Sequence, residues 1–103
     1  MAKAEISPGN CGFSTTVETK MDGKVCKITI TSECTAIQKL AQELTEVNPM
    51  GEISFRRGTP VTLQMGAKYC THTACPVPVG IIKAMELEAG LALPSDVTIK
   101  LSK

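Results

Sequence analysis

The residues able to do chemistry gather in one stretch. From Tyr69 to Leu87 the chain reads Tyr-Cys-Thr-His-Thr-Ala-Cys-Pro-Val-Pro-Val-Gly-Ile-Ile-Lys-Ala-Met-Glu-Leu, which holds two of the five cysteines and the only histidine. Pro76 and Pro78 fix φ and lack N–H groups, which suits the first turn of a helix and little further in. The spacing therefore places Cys70, His72 and Cys75 in the loop that enters a helix. A helix start carries partial positive charge and free N–H groups, and both favour thiolate over thiol. The chemistry open to this stretch is that of thiolates: metal ligation, or nucleophilic and redox reaction.

Two further cysteines are drawn in by a hairpin. Asp22-Gly23 is a strong short hairpin signal, because both central residues of a type I′ turn need positive φ. With those two residues as the loop, facing positions sum to 45: Val17 opposite Ile28, Thr15 opposite Ile30, Thr19 opposite Cys26, Phe13 opposite Ser32. One face then gathers the apolar side chains. Extended by one pair, the same rule sets Cys11 opposite Cys34. Cys11, Cys34, Cys70 and Cys75 form the candidate metal set, with His72 as a substitute or extra ligand. Soft thiolates of this kind select zinc, copper(I) or an iron–sulfur cluster. The competing reading is that these are small buried residues, since cysteine packs well in cores. Spacing does not separate the two, because a Cys-x-x-x-x-Cys pair is looser than the Cys-x-x-Cys of zinc ribbons. Cys26, in mid-strand, reads as core. His72 as a base for Cys70 would need an orienting third group, and the sequence offers none.

Composition narrows the classes. A chain of 103 residues with 43% hydrophobic content makes a single domain, 1–103, whose core is aliphatic, since the only aromatics are Phe13, Phe55 and Tyr69. Net charge is +1, and the single basic doublet, Arg56-Arg57, sits beside Gly58-Thr59-Pro60, so a nucleic-acid partner is not expected. Met-Ala-Lys-Ala-Glu-Ile is no secretory h-region, and Ala74–Ile82 falls far short of the ~20 apolar residues of a membrane span. No membrane partner and a cytoplasmic location follow as expectations. There thiols stay reduced, and an odd number of cysteines agrees. Carboxylates are scattered, and Gly-x-Gly-x-x-Gly, P-loop, Gly-x-Ser-x-Gly and His-Glu-x-x-His motifs are absent, so no catalytic residue is assigned.

The elements that would hold these residues follow from periodicity. Ala2–Ile6 alternates as a strand and is ended by Ser7-Pro8-Gly9-Asn10; residues 13–21 and 25–32 form the hairpin. Cys34 opens a helix in which Thr35-Ala-Ile-Gln38 fits a capping box, with a stripe of Ile37, Leu40, Ala41, Leu44 and Val47, stopped by Asn48-Pro49. Glu52–Phe55 reads as a short strand, and Val61, Leu63 and Met65 as a period-two run. A second helix runs from about Pro78 to Ala89 with Gly90 as its cap. Val97, Ile99 and Leu101 alternate in a closing strand. The order β-β-β-α, an irregular middle, then α-β predicts an α+β domain: a small mixed or antiparallel sheet with two helices on one face.

Over nearly its whole length, through Asn10-Cys11-Gly12-Phe13, Ser32-Glu33-Cys34 and Tyr69-Cys70 to Cys75-Pro76-Val77-Pro78, the chain resembles a family of small cysteine-containing proteins of unknown function from anaerobic prokaryotes. Residues 70–101, with cysteine, proline, helix, Leu-Pro connector and strand, are similar to the C-terminal iron–sulfur scaffold domain of NifU-like proteins. In that family two cysteines separated by two residues carry the cluster, usually at a dimer interface. Here Cys70 and Cys75 are separated by four. The expectation is a small protein that binds zinc or an iron–sulfur cluster, or presents reactive thiols. The alternative is a metal-free interaction module or homodimer that meets its partner through the apolar second helix and Met50, Met65 or Met85.

Overall fold

Alternation of small or β-branched residues with charged ones builds three strands, and a fourth is added by a short return of the chain. In a computed structural model describing residues 1–103, β1 spans Ala2–Ile6, β2 Thr15–Asp22, β3 Val25–Ser32 and β4 Glu46–Val47. They form one antiparallel sheet in the order β1-β2-β3-β4. Three helices accompany it: α1 at Thr35–Glu43, α2 at Val61–Tyr69 and α3 at Val77–Glu88, with a single 3₁₀ turn at Pro49–Gly51. The α+β class is as expected, with three helices where two were foreseen.

One face of the sheet is covered. Ala2, Thr15, Val17, Thr19, Cys26 and Ile28 are buried on it, against Ile37, Leu40, Leu44, Val77, Ile81, Ala84 and Met85 from the helical layer. α3 lies across β1 and β2, and α1 across β3. Thr19, buried among aliphatic residues, is satisfied by donating from Oγ1 to the Ala84 carbonyl at 3.0 Å, which ties α3 to the sheet. Gly80 lets α3 sit close to β1: a Cβ there would come within 2.7 Å of Ile6 Cγ1.

The hairpin register differs from expectation by two residues. Thr15 pairs with Ser32, Val17 with Ile30, Thr19 with Ile28 and Met21 with Cys26, so facing numbers sum to 47 and the loop is Gly23-Lys24. Gly23 has φ +64° and no non-glycine residue has positive φ, so only the first loop position is left-handed. A type II′ turn has that requirement, whereas type I′ needs positive φ at both. A shift of two preserves side-chain parity, so the apolar face survives while every individual pairing changes.

Four other parts of the chain also depart from the reading above. Val61, Leu63 and Met65 belong to helix α2, not a strand; its buried positions are Thr62 and Gly66, four apart and on the opposite parity. Glu52–Phe55 forms no strand. The closing strand is not paired: residues 93–103 lie outside any helix or sheet, with Val97, Ile99 and Leu101 exposed by 56%, 75% and 91%. Val47, expected on the helical stripe, pairs with Cys26 in β4.

Candidate thiol site

The site starts from the ends of α2 and α3. Cys70 caps α2, its N–H donating to the Gly66 carbonyl at 2.9 Å. A turn follows in which the Cys75 N–H donates to the His72 carbonyl at 3.2 Å, and Pro76 then stands as N-cap of α3. Gly66 packs so closely on Pro78 that a Cβ would lie 2.8 Å from the proline Cγ. The two helices therefore approach where one ends and the other begins, and the intervening loop folds Cys70 and Cys75 toward each other. Both are half-buried and pack on the hydrophobic core.

Their proximity is visible in acid–base behaviour. The Cys70 thiol is pushed up from its ordinary 9.0 to about 11, first by burial, then by the charge and hydrogen bonding of Cys75, and then by the charge of Cys34. Cys70 therefore keeps its proton through the neutral range. A hollow of about 350 Å³ opens beside the pair, lined by Cys70, Cys75, His72 and Thr73 together with apolar Leu63 and Val79. His72 is exposed.

Cys34 is held by the end of the hairpin. It is the N-cap of α1, without a side-chain cap bond, and its N–H donates to Ser32 Oγ at 3.1 Å. The same hydroxyl accepts from Thr15 Oγ1 at 2.9 Å, and Gln38 Nε2 donates to the Ser32 carbonyl at 2.8 Å. Gln38 thus reaches back to Ser32 and not to Thr35, where the capping box placed it. Cys11 stands apart. It lies exposed in a turn closed by the Gly12 N–H on the Gly9 carbonyl, ahead of β2, and does not face Cys34. The corrected register and the late start of β2 remove that pairing. In this arrangement no group of three or more His, Cys, Asp or Glu side chains is placed to hold a metal ion. All five cysteines are free thiols. Cys26 is in the core as expected, and burial followed by the charge of Glu88 pushes its thiol up.

Two carboxylates that carried no signal in the sequence prove structural. Glu52 is buried and accepts from the N–H groups of Val61 and Thr62, at 3.0 and 2.7 Å, and from Thr62 Oγ1 at 2.6 Å. It supplies the cap that Pro60, at the N-cap position of α2, lacks. Glu88 accepts from the Met21 N–H at 2.9 Å and pairs with the amino group of Met1 at 3.3 Å. It thereby satisfies β2 just beyond the last residue that β1 covers. The Met21 N–H, before the N-terminal charge, holds the Glu88 carboxyl below its ordinary 4.5, with burial opposing.

A four-stranded antiparallel sheet backed by three helices, with two interacting thiols in the loop between α2 and α3, defines a small α+β thiol-bearing domain. The model of a family described as "Family of unknown function (DUF6951)" matches residues 2–101, and the chain belongs to that family. Neither the comparison with curated proteins nor that with solved structures gives a match. No helix is long and apolar enough to cross a membrane.

Proposed function

We propose that this domain presents a reactive dithiol, Cys70 and Cys75, which closes to a disulfide by exchange with a small disulfide-bearing molecule in the adjoining hollow. The observation that carries this reading is the nearness of Cys75 to the Cys70 thiol, which it raises by charge and hydrogen bonding, at the wall of a cavity about 350 Å³ in size, within the range of small-molecule sites. Because Cys70 keeps its proton, attack falls to Cys75. Cys75 gives up its proton to solvent, and its sulfur displaces one thiolate from the incoming disulfide and forms a mixed disulfide. Cys70 then gives up its proton to solvent, attacks the Cys75 sulfur and expels the second thiolate. One disulfide is reduced to two thiols while one dithiol is oxidised, so atoms and electrons balance.

The test is reaction of the reduced protein with a low-molecular-weight disulfide, followed by intact-mass and peptide mapping. A Cys70–Cys75 bridge is expected, and trapping of the mixed disulfide on Cys75 is expected in Cys70→Ser. Random modification led by exposed Cys11 would overturn the reading.

A second reading is favoured by the influence of Cys34 on Cys70. In it Cys34 joins Cys70, Cys75 and His72 around zinc, copper(I) or a cluster, which requires the loop to rearrange, since no three of these side chains are placed for a metal in the present arrangement. Anaerobic purification with elemental analysis separates the two. Metal that is lost in Cys34→Ser supports ligation, whereas the dithiol reaction is indifferent to that change.

A further inference from the structure

We propose that residues Val97–Leu101 form a fifth strand on the β1 edge of a second copy of this chain, so that two copies exchange C-terminal strands. The sequence of this segment is that of a strand: Val97, Ile99 and Leu101 on one parity, Thr98 and Lys100 on the other. In a single chain it has no partner, and the three apolar side chains stand 56%, 75% and 91% exposed, continuing a run that includes Leu93 at 87%. The family match extends to residue 101, so the segment belongs to the common length of the domain.

The same chain carries the surface this strand fits. The strand order leaves β1 at one edge, with the outward row of its backbone groups unpaired, while the opposite edge is β4, only two residues long. β1 is five residues long and alternates Ala2, Ala4 and Ile6 toward the covered face with Lys3 and Glu5 toward solvent. An unpaired edge of that length is a template for strand addition. A parallel alignment of Val97 beside Ala2 sets Ile99 beside Ala4 and Leu101 beside Ile6, large residues next to small ones at the first two positions. It also sets Lys100 beside Glu5, opposite in charge, on the outer face.

The absence of pairing within the chain points to a second copy as the source. α3 runs back along β1, from Gly80 near Ile6 to Glu88 beside Met1, and residues 93–103 beyond it are not paired with the chain's own β1. The long axis of the molecule is 42 Å against 27 and 26 Å across. Each copy thus holds one vacant edge and one unpaired strand. Reciprocal exchange fills both and closes under two-fold symmetry.

Sedimentation velocity of the reduced full chain, from micromolar to millimolar, tests this together with Ile99→Lys and a chain ending at Pro94. The full chain is expected to dimerise, and both variants to be monomeric while keeping a cooperative thermal transition. Hydrogen exchange on the full chain should protect the amides of 97–101 only at concentrations where the dimer forms. A monomer throughout, protection of those amides in the monomer through pairing with the chain's own β1, or a dimer that survives both variants would each overturn the proposal. The last result would point to α3 as the interface.

Discussion

Cys70 is a thiol whose folded state prefers it neutral. Its ordinary value of 9.0 rises to about 11 through burial and the neighbouring sulfurs of Cys75 and Cys34. A group whose folded value is raised contributes stability that is fully present below the unfolded value and lost as pH rises through the folded one. The domain should therefore lose stability between about pH 9 and pH 11, and urea titrations of wild type and Cys70→Ser should show that this part of the loss disappears in the variant. Equal alkaline losses in both proteins would place the titrating group elsewhere. Among single residues, Cys70 and Cys75 were legible because two prolines mark the helix start beside them. Cys11 was misplaced because its position was extrapolated through Gly12-Phe13, beyond the point where β2 begins.

The helices show how caps are supplied from a distance. α2 starts after Pro60, which has no side chain to offer its free N–H groups, and the carboxylate of Glu52 meets two of them in a buried position. Glu52→Ala should cost about 2–3 kcal/mol, the scale of charge-assisted hydrogen bonds lost while their donors stay buried. Urea unfolding reads this directly, and a loss below about 0.5 kcal/mol would mean that water replaces the carboxylate. Such a cap could not be found in sequence, since no local motif links positions 52 and 61. α2 itself was hidden for a related reason. Over five residues Val61, Leu63 and Met65 mimic a strand, and only the packing of Thr62 and Gly66 shows which side faces inward. The hairpin was easier, because Asp22-Gly23 marks the turn within one residue and parity tolerates a slip of two. The C-terminal alternation had the right period, but period cannot say whether a partner edge lies in the same chain.

At the scale of the whole molecule, near and distant parts of the sequence meet on one sheet. β1, β2 and β3 are joined to their immediate successors, while α3 reaches β2 through contacts 65 and 67 positions apart, at Thr19–Ala84 and Met21–Glu88. Local pairing closes short loops and distant pairing closes long ones, so the meander is free to form early and α3 to dock late. The loop bearing Cys70 and Cys75 is anchored on one side by α3, and the burial that keeps Cys70 protonated is complete only when that helix is seated. During refolding, then, the two sulfurs pass through an interval in which they are as open to alkylation as those of an unfolded chain. Pulsed alkylation should find Cys26, which lies on the covered face and also needs the helical layer for its burial, shielded together with Cys70 and Cys75; shielding of Cys26 well before the other two would mean that α1 alone covers it. Glu88, which ties the end of α3 to Met21 of β2 and to the amino group of Met1, helps hold that helix in place, and so a carboxylate at the far end of the helix bears on how long a newly made chain is chemically vulnerable.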